Sequence, residues 1–105
     1  MKFAVDLHIH SALSSCADDD MTPNNIVRMA ELKGLDFISV TDHNSAANIE
    51  AVIKCAEGSE LIVVPGLEIE TVEEVHLLCF FPSIRAALNV SNIVYQRIPD
   101  YLNRE

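Results

Sequence analysis

TPNNIVRMAELKGLDFISVTDHNS, residues 22–45, holds a helix, its stop and a strand in a single run. Thr22 offers a side-chain oxygen for capping, and Pro23 follows it at the position where a missing N–H costs a helix least. Ile26, Val27, Met29, Ala30 and Leu32 then recur at helical spacing, and Gly34 supplies the stop. Asp36 to Thr41 (DFISVT) is an apolar run of strand length that leads directly into the polar cluster Asp42-His43-Asn44-Ser45. A helix feeding a buried strand, with polar residues at the strand's C-terminal end, is the building unit of parallel α/β proteins. Such proteins place their sites where the loops at the C-terminal ends of the strands converge.

The flanking segments extend this unit. Upstream, Lys2 to Ile9 alternates, so that Val5, Leu7 and Ile9 are expected on one face and Asp6, His8 and His10 on the other. Ser11 to Met21 reads as a polar, acidic loop. Downstream, the pattern predicts a helix from about Ala46 to Glu57 that stops at Gly58. A third strand follows over Glu60 to Glu70 (ELIVVPGLEIE), bent at Pro65-Gly66. A fourth, Val75 to Phe81, is reached through an acidic turn at Glu73-Glu74. Ser83 to Leu88 reads as a helix, and a further one through Val94 and Tyr95 stops before Pro99. This order of elements predicts an α/β fold with a mainly parallel sheet, forming a single domain over residues 1–105.

Half of the 105 residues are apolar, enough for a true but small core. Seven Lys and Arg against sixteen Asp and Glu give a net charge of −9, which opposes binding along a nucleic-acid backbone. No apolar run approaches the roughly 20 residues that cross a bilayer. No basic and apolar leader pattern follows Met1, so no membrane association is expected. Cys16, Cys55 and Cys79 are odd in number and lack a CxxC spacing, which disfavours a disulfide framework. A reduced, cytoplasmic protein is the expectation.

Asp6-Leu7-His8-Ile9-His10 is the strongest chemical signal. Two histidines one residue apart on a strand project from the same face, close enough to share a metal ion. Such a pair can also be plainly solvated, so its context has to decide. The other two histidines, His43 and His76, also sit at strand ends. His76 and Glu68 each interrupt an apolar run, where a polar group is costly unless it is paired, exposed or bound to a cation. Glu70 could share the face of Glu68 or mark the strand's exit into solvent. Asp18, Asp19 and Asp20 could supply a ligand, although a solvated acidic loop ahead of a helix is favourable by itself. Cys16 is a soft donor but more often a small filler, and Cys55 and Cys79 read as core.

DLHIHS at 6–11, DMTPNNIV at 20–27, GLDFISVTDHNS at 34–45, PGLEIET at 65–71 and EVHLL at 74–78 together resemble the PHP (polymerase and histidinol phosphatase) domain, in its small bacterial phosphoesterase form. The resemblance implies metal ligation by His8, His10, His43, Glu68 and His76. It also implies one acidic ligand after the H-x-H segment, taken as Asp18 among Asp18, Asp19 and Asp20, with Asp6 and Asp42 supporting the ligands. It further implies one to three divalent ions (Zn, Mn or Fe) activating water against the phosphate ester of a small metabolite or nucleotide. The implied fold is a distorted (β/α)7 barrel, of which this chain would form about the N-terminal half. Family members draw further ligands from later strands, including a late histidine and a D-x-H pair, and no histidine follows His76 here. A metal-binding half-domain without turnover is therefore an alternative, as is a fragment of an amidohydrolase-type barrel. A half-barrel would leave a strand edge and an apolar face open, so a homo-oligomer is expected.

Overall fold

The structure, a computed structural model, describes residues 2–12, 20–43 and 45–97. Among these the order is β1 (Val5–Ile9), α1 (Pro23–Leu32), β2 (Phe37–Val40), α2 (Ile49–Cys55), β3 (Ile62–Val63), β4 (Gly66–Glu70), β5 (His76–Phe80) and α3 (Ile84–Arg97). The fold is α/β with a parallel sheet. Strands β1, β2 and β3 lie side by side in parallel, while β4 and β5 form an antiparallel hairpin. The five-residue span from Thr71 to Val75 is too short for the crossover that parallel strands require.

Local chemistry starts and stops the elements. Thr22 is extended at φ −79°, its hydroxyl accepts from the Asn25 amide, and Pro23 opens α1. Gly34, at φ +69°, takes the left-handed conformation that ends the helix. Ile26, Val27 and Ala30 of α1 and Val52 and Ala56 of the α2 segment close over Ile38 and Val40 of β2, forming the main core. A smaller cluster joins Ala46, Ile49, Leu67 and Ala87.

The Glu60–Glu70 segment bends where Pro65-Gly66 predicts it, and each part finds a different partner. β3 pairs with the start of β2, and β4 continues beside the polar extension of β2. There His43 and Glu68 form a parallel bridge, and the Glu68 amide donates to the Asp42 carbonyl at 2.9 Å. Gly66 lies at the bend against Ser39 and Thr41. A Cβ there would fall 2.5 Å from Ser39 Oγ and 3.0 Å from the Cys79 carbonyl oxygen. Gly66→Ala is expected to destabilise the fold by about 1–3 kcal/mol through overpacking, read as a lower urea midpoint with an unchanged slope.

Two expectations are corrected. The clean alternation of β1 fails, because the register to β2 runs Val5↔Phe37, Asp6↔Ile38 and then Ile9↔Val40, with one extra residue on β1. This bulge takes Asp6 off the face of His8 and His10. The C-terminal segment is one helix rather than two. The sequence turns more polar after Leu88, but Ser91 Oγ accepts from the Ala46 amide at 3.1 Å, so tertiary contact overrides weak propensity.

Both outer strands carry exposed apolar side chains: Phe3, Val5 and Leu7 at β1, and Leu77, Leu78 and Phe80 at β5. Among the described residues no helix is long and apolar enough to cross a membrane.

Candidate metal centre

Glu68 is the hub of a cluster of four imidazoles. It sits in the middle of β4, only 3% exposed, at the seam where that strand meets the extension of β2. One carboxylate oxygen, Oε1, lies 2.6 Å from His8 Nε2 and 3.4 Å from His10 Nε2. The other, Oε2, lies 3.4 Å from His43 Nε2 and makes a short contact with His76 Nδ1. The rings follow one another edge to face, with centroid separations of 5.0 Å (His8–His10), 4.7 Å (His10–His43) and 5.7 Å (His43–His76).

Each histidine arrives by a separate local device. His8 comes from within the bulge of β1 and His10 from just after the strand, with their Nε2 atoms 3.1 Å apart. His43 is held by its bridge to β4. His76 begins β5 and faces Glu70 across the hairpin. Asp42, between β2 and His43, is 3% exposed and holds the chain beyond β1 in place. The Ser11 amide donates to Asp42 Oδ1 at 2.7 Å, and the Ser11 hydroxyl donates to Oδ2 at 2.6 Å. Asp42→Asn would set an amide NH2 against a buried donor. A loss of about 1–3 kcal/mol in unfolding free energy is expected, measured by urea denaturation.

The electrostatics suit a cation. Burial, then the neighbouring His43, holds the His10 imidazole below its ordinary pKa, which favours the neutral, ligating form of the ring. Burial alone would push the Glu68 carboxyl up. Hydrogen bonds from His76 and His8, with the field of His43, outweigh that and keep it ionised below the usual range. His8 and His10 present nitrogen to nitrogen, where at most one proton fits between two lone pairs. Two groups place their ligand atoms within 4.8 Å of one another: His8, His10 and Glu68, and His43, Glu68 and His76. A tetrahedral ion with bonds of about 2.1 Å spaces its ligand atoms about 3.4 Å apart. The His10 and His43 contacts to Glu68 have that length, and the closer ones need to open by about an ångström. Imidazole nitrogens around one carboxylate form the mixed N/O donor set that borderline ions such as Zn, Mn or Fe accept. The residues therefore fit divalent ions.

A family model, that of the PHP domain, matches residues 6–103. The chain belongs to the PHP domain family. The PHP domain is 41% identical over 80 residues to an uncharacterised protein of Methanocaldococcus jannaschii, a match covering 76% of this chain and 10% of that protein. It is 36% identical over 73 residues to the 5'-3' exoribonuclease Rnm of Salmonella typhimurium, covering 68% of this chain and 24% of that one. Two solved structures share its fold. One, from Bifidobacterium adolescentis and inferred to be a metal-dependent phosphoesterase, superposes with a TM-score of 0.70 at 24% identity, over 91% of this chain and 33% of that one. The other, an amidohydrolase from Chromobacterium violaceum, gives 0.64 at 22% identity, over 89% and 34%. The PHP domain thus spans a quarter or less of these curated relatives and about a third of the solved chains.

Of the residues singled out in the sequence, the structure brings His8, His10, His43, Glu68 and His76 together. Asp42 sits directly behind them. Asp6 is turned away: its Oδ1 accepts from the His8 backbone amide at 3.2 Å, and the residue borders a groove with Ile9, Met21 and Ile26 beside α1. Asp18, Asp19 and Cys16 lie outside the described residues. Asp20 is exposed, and its carbonyl accepts from Asn25 Nδ2. Cys55 and Cys79 are free thiols, with Cys55 packed against the main core. Sequence reasoning gave Ser11 no role, although its place directly after H-x-H signals a residue that must anchor that segment.

Proposed function

We propose that this PHP domain is a metal-dependent phosphoesterase whose ions sit on either side of Glu68. The supporting observation is the division of that carboxylate, with Oε1 turned to His8 and His10 and Oε2 to His43 and His76. A carboxylate divided in this way would let Glu68 serve two ions, with His8 and His10 holding one and His43 and His76 the other, and a pair of ions would supply the chemistry of displacement at phosphorus. Bound there, the ions would lower the pKa of water and offset charge on the phosphate oxygens. The chain's own contribution is to hold the four imidazoles in place around an enclosed, ionised Glu68. Asp18 remains our choice for the acidic ligand from the loop after β1.

The substrate class we favour is a small phosphorylated metabolite or a nucleotide. The exoribonuclease relative acts on RNA, but a net charge of −9 sets this chain against a long backbone groove. A cytoplasmic setting agrees with the free thiols of Cys55 and Cys79.

The test is metal content by plasma mass spectrometry after purification without chelator, followed by phosphatase assays on the loaded protein with nucleoside monophosphates and sugar phosphates. One or more equivalents of Zn, Mn or Fe with phosphate release supports the proposal. Turnover of amides or lactones alone would favour the amidohydrolase reading.

A second reading rests on the exposed apolar edges at β1 and β5. In it the chain forms about half of a barrel, binds metal without turnover and associates with another copy. Bound metal, no hydrolysis and a dimer by light scattering would establish it. A monomer at low concentration would remove the self-association.

A further inference from the structure

We propose that Glu70 is a positioning residue that sets the His43 and His76 rings from the side opposite Glu68, an inference that rests on the metal-binding reading of the site. Glu68 and Glu70 are two residues apart on β4, so their side chains leave the same face about 7 Å apart. An imidazole placed between them can face one carboxylate with each nitrogen. Both rings do so. His43 turns Nε2 to Glu68 Oε2 at 3.4 Å and Nδ1 to Glu70 Oε2 at 3.6 Å. His76 turns Nδ1 to Glu68 Oε2 and Nε2 to Glu70 Oε1 at 3.6 Å. The two oxygens of Glu70 are thus divided between the rings, one to each.

The sheet builds this arrangement in. Glu70 pairs directly with His76 in the hairpin register, and Glu68 pairs with His43 across the seam. A histidine that gives one nitrogen to an ion carries its proton on the other, and a carboxylate facing that N–H fixes both tautomer and ring orientation. At 3.6 Å the contact acts through the field of the carboxylate on the N–H dipole rather than as a direct hydrogen bond. With an ion held on the Glu68 side, Glu70 would favour Nδ1–H in His43 and Nε2–H in His76, so that each ring would turn its other nitrogen to the ion. Glu70 is partly exposed, at 32%, while Glu68 is enclosed at 3%.

Two readouts test the proposal. Competition titrations of the wild-type chain with Zn and Mn against a chromogenic chelator give the affinity of each ion group. In Glu70→Gln, which keeps the shape and removes the charge, the group of His43, Glu68 and His76 is expected to weaken about 10- to 100-fold. The group of His8, His10 and Glu68 should keep its affinity, and Glu70→Asp should recover part of the loss. Nitrogen NMR of the imidazole rings in Zn-loaded protein is the second readout. The wild type is expected to show the two opposite tautomers, and Glu70→Gln a mixture in both rings. Wild-type affinity and unchanged tautomers in Glu70→Gln would overturn the proposal, as would equal weakening of both ion groups. A wild-type chain that binds no metal at all would sink the functional reading and the role of Glu70 with it, whereas wild-type affinity in Glu70→Gln would sink the role of Glu70 alone.

Discussion

Replacing Glu68 by glutamine is expected to strip the protein of both ions, whereas His8→Ala is expected to cost only one. The histidines divide between the two carboxylate oxygens, so each ring serves one group and Glu68 alone serves both. Glutamine retains the volume but loses the charge, and its NH2 can neither ligate nor share a second ion. Opposite unit charges 4 Å apart at an effective dielectric of about 20 attract by about 4 kcal/mol, on the order of a thousandfold in affinity. A divalent ion in contact loses at least that much. Metal content after gel filtration should therefore fall to a small fraction of an equivalent in Glu68→Gln, and by about half in His8→Ala. If Glu68→Gln retains its full complement, the carboxylate is not shared and the two-ion reading fails.

Removal of metal is expected to lower the melting temperature by about 10–20 °C. A small domain has little core to spare, and here part of the interior is a polar cluster rather than apolar packing. An ion at a hundred times its dissociation constant stabilises the native state by about 2.7 kcal/mol when it does not bind the unfolded chain. In a domain of this size each kcal/mol moves the midpoint by about 4–8 °C. Scanning calorimetry with saturating Zn or Mn against excess chelator measures the difference. An unchanged midpoint in protein shown to carry metal would mean that the ion sits on the surface, apart from the cluster around Glu68.

The parts of the site legible in the sequence were those whose chemistry conflicts with their surroundings. Glu68 and His76 interrupt apolar runs, and His8 with His10 repeats at strand period, so each could be singled out without coordinates. The α/β order was legible for the same reason, since the period of the apolar residues changes sharply at Gly34 and Gly58. Asp6 was misplaced because a one-residue bulge leaves no trace in composition, yet it reverses the side on which a residue lies. The continuity of α3 was hidden because Ser91 is a poor helix former until Ala46 meets it. Glu70 was visible as a same-face neighbour of Glu68. Its relation to two rings on different strands depends on hairpin register, which turn length and long-range pairing set together.

The seam between β2 and β4 has a consequence for how the molecule comes together. The bridge from His43 to Glu68 and the contact from His8 to Glu68, 60 residues apart in sequence, join a portion built from β1 to β3 with a portion built from β4 to α3. Such distant closures form late, after each portion has collected its local contacts. An ion captured at the seam acts as a clasp on that closing step: it gives little to either portion alone and much to their union. Loss of the clasp would let the β4–β5 hairpin open as a separate cooperative unit while α1 and α2 stay folded on β2.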